Sequence, residues 1–345
     1  MMACRAKSPR QSGGPDAGKR PARFCRIRIQ QTPAAPAYLP GEPGRREFKQ
    51  EELSMNNSTR PAPAKVNLAL DILGRRPDGY HDMRMVMQTI SLCDTVTVRE
   101  TGEGFTLHTG GDFIPAGKKT LEQRAAEAFF AEIGQPAPGL EVTLEKRTPA
   151  YAGLGGGSAD VAALLRILRD RHCPAMPTEQ LERIGFAIGS DMPFCVRGGT
   201  ALAEGRGEVL TDLPPLPDCW LVLCKPAFGI PTPSLFAMVD GGELERRPDI
   251  DGMMAALRAG DLDGVAARLG NVFEDVLPEE YHEVFDIKRR LLDLGALNAA
   301  MSGSGPTVFG LFRERETAAK AAEALKARYS QTYLAEPVKK FQETE

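Results

Sequence analysis

The sequence predicts an α+β fold in two parts. Stretches of alternating polar and apolar residues mark strands, while stretches with apolar residues at i, i+3, i+4 and i+7 mark helices. The two kinds mix without the regular strand–helix alternation of a parallel sheet. A proline-rich segment, "DLPPLPD" at 212–218, supplies the boundary. The expected organisation is a leader over 1–58, a first domain over 59–212 and a second over 213–345. A chain of 345 residues with 42% hydrophobic content is long and apolar enough for two cores.

The leader differs in kind from the rest. Residues 1–50 carry 11 Lys and Arg against 3 Asp and Glu and are rich in Pro, Gly and Arg, without apolar periodicity. Such a composition buries too little surface to offset the entropy of ordering. It reads as a disordered or over-extended start, with Met55 in "MNNSTRPAPAKVNL" resembling a natural first residue. The alternative is an organelle transit peptide: the Arg-rich, acid-poor composition favours it, and the presence of only two serines speaks against it. The remaining chain has a balance of −11, which does not fit a basic nucleic-acid binder.

Patterned chemistry begins near residue 63. "KVNLALDIL" (65–73) alternates as a strand, "PDGYH" makes a turn, and "MRMVMQTISLCDTVTVRE" (83–100) and "GFTLHTG" are β-rich. "TLEQRAAEAFFAEIG" (120–134) has helical periodicity closed by a glycine, and "LEVTLEKR" (140–147) alternates again. Val161, Leu164, Leu165 and Leu168 give a helix over 158–171, and another helix spans about 178–188. "GSDMPFCVRGGTALAEGRGEVL" reads as a β-hairpin with tight turns. A buried strand (219–225), helices between about 232 and 294, a helix at 315–328 and a strand near 331–336 complete the second part. No stretch approaches the ~20 apolar residues of a membrane span. The seven cysteines form no C-x-x-C pair. Cys219 and Cys224 lie in the apolar run "CWLVLCKP", as buried free thiols of a reducing compartment do. The expected location is the cytoplasm, or a plastid if the leader is a transit peptide.

Residues 149–165, "PAYAGLGGGSADVAALL", place four glycines in five positions directly ahead of a helix. Glycine costs about 0.5–1 kcal/mol relative to alanine inside regular structure, so such a cluster has a local reason. A helix start offers unpaired N–H groups and a positive dipole end, and glycines let an anion approach the backbone. Two common phosphate signatures fail here. G-x-G-x-x-G meets Ser158 when placed at Gly153 and Asp160 when placed at Gly155; in "GGDFIPAGKKT", five residues separate Gly111 from Gly117, and Lys119 stands where a P-loop needs Ser or Thr.

What remains, P-x-x-A-G-L-G-G-G-S followed by a helix, resembles the phosphate loop of the GHMP kinases, a superfamily of small-molecule kinases. "PAPAKVNLALDILGRRPDGYHDM" near the start and "MSGSGPTVFGLF" near the end stand in that family's order, and the resemblance covers about residues 60–340. The first of these and "IGSDMPFCVRGGTALAEGRGE" are similar to the branch whose acceptor is a diphosphocytidyl polyol of non-mevalonate isoprenoid synthesis. Ala159 departs from the pattern, standing where a second serine is frequent. The resemblance implies a ribosomal-protein-like N-terminal domain, a ferredoxin-like C-terminal domain, ATP with Mg²⁺ as cofactor, and a small-molecule acceptor, with no nucleic-acid or membrane partner. Two other readings stand beside it: a sibling kinase acting on mevalonate or homoserine, and an RNA-binding module, against which the acidic balance argues.

Phosphoryl transfer needs a cradle for the nucleotide phosphates, charge compensation and a group that orients the attacking hydroxyl. The resemblance implies that Pro149, Ala150, Tyr151, Ala152, Gly153, Leu154, Gly155, Gly156, Gly157 and Ser158 form the cradle, with Lys146 bordering the adenine pocket. It makes Asp191 the catalytic base and places Lys65 beside it, stabilising charge at the reacting centre. Asn67, two residues along a strand from Lys65, shares its face and is expected to hold acceptor hydroxyls. Tyr80 is expected to stack on the cytosine, His81 to read its polar edge, and Phe236 to complete the aromatic clamp. "MSGSGPT" (301–307) is expected to close the site near the same phosphates.

Overall fold

The computed structural model describes residues 57–110, 119–242, 244 and 246–341; the leader expected over 1–58 lies outside them except for its last two residues. Two sheets organise the described chain. The first contains seven strands: β1 (Asn57–Arg75), β2 (His81–Glu100), β3 (Phe105–Thr109), β4 (Leu140–Glu145), β5 (Thr200–Gly205), β6 (Val209–Asp212) and the two-residue β8 (Gly270–Asn271). The second is antiparallel, in the order β11–β7–β10–β9, from Gln331–Ala335, Trp220–Lys225, Val308–Phe312 and Asn298–Met301.

β1 is the strand that matters most for the site. It pairs antiparallel with β2 on one side and parallel with β8 on the other. It is buried on both faces from Ala62 to Ile72, its two ends are exposed or half-buried, and it extends well beyond 65–73. Val66 and Leu68 join a core shared with Leu221, Leu223, Phe309 and Leu311 of the second sheet. A second core packs Leu70, Met85 and Met87 against Val222, Val308 and Phe312. On the other side of the first sheet, Val96, Val98, Val142 and Leu144 pack against helices α1 (Leu121–Glu132), α2 (Gly156–His172) and α3 (Thr178–Phe186).

The expected elements appear with local corrections. The Thr120 side chain caps α1 by accepting from Gln123 N, and Gly134 takes φ +65° just past the helix end. The segment read as wholly hairpin-like begins instead with a helix, α4 (Met192–Arg197), before the β5–β6 hairpin. Proline at its start and Gly198–Gly199 at its end leave six residues, too few for a visible period. In the second part, α5 (Thr232–Gly241), α6 (Ile250–Ala259), α7 (Leu262–Ala266) and α8 (Glu283–Asp293) precede α9 (Arg315–Lys326). Among the described residues, no helix is long and apolar enough to cross a membrane. The five described cysteines are unpaired, and burial pushes the Cys219 and Cys224 thiols up to about 12 and about 11.

Candidate active site

Side chains alternate along β1, so the face opposite Val66 and Leu68 carries Lys65 and Asn67. Both are buried, and lysine is almost never so unless it is partnered. Lys65 Nζ donates to Asn67 Oδ1 at 2.7 Å and lies 3.3 Å from Asp191 Oδ2. Asp191 stands at the N-terminus of α4 with its carboxylate 35% exposed, whereas the Lys65 side chain is 4% exposed. The ammonium is therefore fixed from below and the carboxylate faces a cleft of about 680 Å³.

The glycine-rich loop forms one wall of that cleft. Ala152 and Leu154 are buried in the core and anchor it, and Leu154 O accepts from Lys65 N at 2.9 Å. Gly153, Gly155 and Ser158 line the cleft. Gly155 caps α2 at φ +67°, and a Cβ there would sit 3.0 Å from Lys65 Cγ, so glycine leaves the lysine stem its path. Gly156 and Gly157 open the helix, whose first turn carries no acidic residue and presents its N–H groups to an anion. Pro149 is half-buried, and Ala150 and Tyr151 are exposed, Tyr151 at φ +51°.

The turn at 302–305 closes over this loop, as expected of "MSGSGPT". Ser302 Oγ donates to Gly153 O at 3.0 Å and accepts from Asn67 N at 3.3 Å. Gly303 and Ser304 line the cleft, and a Cβ on Gly303 would lie 3.3 Å from Lys65 Nζ. Asn271 of β8, which the sequence reading missed, donates to Met301 O and Gly303 O, each at 2.8 Å, and so holds the turn in place.

Lys146 sits beneath the loop rather than on the cleft wall. Its Nζ pairs with Asp94 and, at 2.5 Å, with Asp160. Asp94 Oδ1 accepts from Arg147 N and Thr148 N at the loop's entry, while Asp160 stands in the early part of α2. One ammonium thus straps both ends of the loop. Burial, reinforced by the Asp94 and Glu122 carboxylates, pushes Asp160 up to about 7 despite the opposing pull of Lys146. Its folded-state value lies above its unfolded one, so its contribution to stability is largest in acid and falls as pH climbs from about 4 to about 7. Asp160→Asn is expected to flatten that fall, read as urea midpoints at about pH 5, 6 and 7; parallel profiles in the two proteins would refute the assignment.

The far end of the cleft is aromatic. Tyr80, after the turn at 76–80, is 52% exposed and carries the Arg206 guanidinium 3.5 Å from its ring centre. Phe236 on α5 stacks on His81 at 4.7 Å and 22°, and meets Phe273 edge-on at 5.1 Å. The three expected base-binding residues therefore meet in one cleft, but Tyr80 is backed by Arg206, and Phe236 by His81.

Residues 120–199 match the GHMP kinases N terminal domain and residues 253–331 match GHMP kinases C terminal. A 4-diphosphocytidyl-2-C-methyl-D-erythritol kinase of Moorella thermoacetica is 46% identical over 283 residues, covering 81% of this chain and 99% of the relative. The chain belongs to this kinase family. The enzyme of that name from Clostridium tetani is 40% identical, over 80% of this chain and 99% of its own. A crystal structure of 4-(cytidine 5'-diphospho)-2C-methyl-D-erythritol kinase superposes with a TM-score of 0.69 at 34% identity, covering 81% of this chain and 99% of that one.

For this kinase, sequence reasoning also passed over Arg206 and Asp240, which line the same cleft. Asp240 was within reach: it lies four residues beyond Phe236 on α5, a spacing that places both on one helix face. Arg206 sits in a tight turn between β5 and β6, where an arginine gives no periodic signal.

Proposed function

We propose that this kinase transfers the γ-phosphate of ATP to the 2-hydroxyl of 4-diphosphocytidyl-2-C-methyl-D-erythritol. One observation carries the reading: a single cleft joins the Lys65–Asp191 pair, the glycine-rich helix start and an aromatic end with Tyr80, His81 and Phe236. In this reading Asp191 orients the acceptor hydroxyl and accepts its proton late in transfer, while Lys65 offsets charge at the reacting centre. Asn67, fixed by Lys65, faces the acceptor polyol. The backbone of Gly153, Gly155, Gly156 and Gly157 with the Ser158 hydroxyl receives the nucleotide phosphates, where a cradle without Cβ atoms and an acid-free helix start suit an anion.

Mg²⁺ accompanies ATP in this proposal. It binds through one or two carboxylates and the substrate phosphates. Among the described residues no group of three or more His, Cys, Asp or Glu is suited to a metal, so the cation would arrive with ATP, held by phosphate oxygens and water. When bound, it would supply charge neutralisation at the β- and γ-phosphates. The unpaired cysteines suit a reducing compartment such as the cytoplasm.

The test is acceptor choice. Purified protein with ATP is expected to phosphorylate the diphosphocytidyl substrate and to ignore mevalonate and homoserine. Tyr80→Ala is expected to raise KM for that substrate about 5- to 150-fold, the worth of one base–aromatic stack, with KM for ATP nearly unchanged. Better turnover of mevalonate or homoserine, or a Tyr80→Ala effect confined to ATP, would sink the acceptor assignment.

A further inference from the structure

His81 and Asp240 form a pair whose chemistry is directional. His81 Nε2 lies 2.7 Å from Asp240 Oδ1, and Arg75 Nη1 lies 3.5 Å from Asp240 Oδ2. An ionised carboxylate accepts hydrogen bonds and donates none, so the ring nitrogen facing it carries the proton. Neutral imidazole has one N–H, which leaves Nδ1 as an acceptor. The His81 hydrogen bond holds the Asp240 carboxyl below its ordinary value, so it stays ionised at neutral pH. The ring has little freedom to turn: it is 8% exposed and stacked on Phe236, while Arg75 steadies the carboxylate from the other side.

We propose that Asp240 is a specificity-determining positioning residue, which fixes His81 as a hydrogen-bond acceptor at Nδ1 and thereby selects a base with an exocyclic amino group over one with a keto oxygen. The inference rests on the acceptor reading above and extends it to a residue outside the reacting centre. Stacking on Tyr80 tolerates any base, because every base has a π-face. Discrimination therefore falls to polar contacts. Cytosine offers N4–H₂ as a donor, which an acceptor nitrogen satisfies, whereas uracil has an oxygen at the same position, which would face it lone pair to lone pair. A carboxylate at 240 enforces this polarity. An amide does not, because it can present either its oxygen or its NH₂ to Nε2.

The experiment compares kcat/KM for the diphosphocytidyl acceptor and its diphosphouridyl counterpart in the wild type and in Asp240→Asn. The wild type is expected to prefer the cytidine form. Asp240→Asn is expected to lower the cytidine-to-uridine ratio about tenfold, through KM, with kcat and KM for ATP near wild type. Long-range ¹⁵N–¹H NMR on the wild type is expected to show His81 protonated at Nε2, a readout that stands even if the variant folds poorly. An unchanged ratio, an equal loss on both acceptors, or His81 protonated at Nδ1 in the wild type would overturn the role of Asp240 alone. A wild type that turns over neither diphosphonucleoside acceptor would instead overturn the function proposed above.

Discussion

Asp191→Asn is expected to lower kcat by about 10²–10⁴ while leaving the fold and KM for ATP near wild type, the usual range for loss of a general base. The substitution keeps the shape of the side chain at the N-terminus of α4 and removes its charge opposite Lys65 Nζ. Lys65 calls for a different replacement. Its stem runs past Gly155 and its side chain is 4% exposed, so alanine would leave a void beneath the loop as well as removing the charge. Lys65→Met keeps much of the stem and isolates the electrostatic effect. Because the two groups face each other across 3.3 Å, the double variant is expected to be far less impaired than the product of the single losses. Steady-state kinetics on the four proteins decide the matter, and strict multiplicativity would show that the pair does not act as a unit.

Gly153→Ala is expected to be the most disruptive single change in the loop. Its φ of +73° is strained for any residue with a Cβ, and an added Cβ would lie 2.0 Å from Ser302 O and 2.8 Å from Gly305 N. Both obstacles are backbone atoms of the turn held by Asn271, so neither can swing aside. The strain of φ and the overpacking each cost about 1–3 kcal/mol, against a typical total stability of about 5–15 kcal/mol. Denaturant midpoints should fall accordingly. ATP affinity should fall as well, since the loop and the turn separate where the phosphates are proposed to lie. Gly157→Ala is the control for stability: its φ is not in the left-handed region, and the nearest atom to an added Cβ is Leu121 Cδ1 at 3.9 Å. Equal falls in denaturant midpoint for the two substitutions would refute this account of the loop.

Much of the fold was readable because its signals are local. Helix α2 announces itself through glycines and then through Val161, Leu164, Leu165 and Leu168 at helical spacing. Strand β1 was readable only where polar and apolar residues alternate, and its ends were lost because Pro61, Pro63 and Gly74 are poor strand signals. The site was legible for a different reason. Nothing local joins Lys65 to Asp191, and only resemblance to a known arrangement brought them together before the cleft did. Lys146 has partners that its local sequence does not announce: the buried carboxylates of Asp94 and Asp160 converge on it from two other elements. Asp240 was missed because its meaning lies in the ring it touches, which belongs to a strand far away in sequence.

The β1–β2 pairing carries a consequence for the length of the acceptor. Lys65 stands opposite Thr89, and Arg75 opposite His81, within one antiparallel ladder interrupted by bulges near Pro63, Asn67 and Ile72. The group proposed to compensate charge at the hydroxyl and the group proposed to read the base are thus mounted on the same hydrogen-bonded hairpin, with no hinge between them. Such a hairpin works as a ruler. A ligand that fills both ends must span a distance set by the register of the strands, and no loop closure can take up the slack for one that is too short. Removing a facing pair of residues from each strand between the two ends would keep every side chain on its face but draw the ends together by about 6–7 Å. An enzyme shortened in this way should lose the diphosphate-bridged acceptor, whose two ends it can no longer hold together.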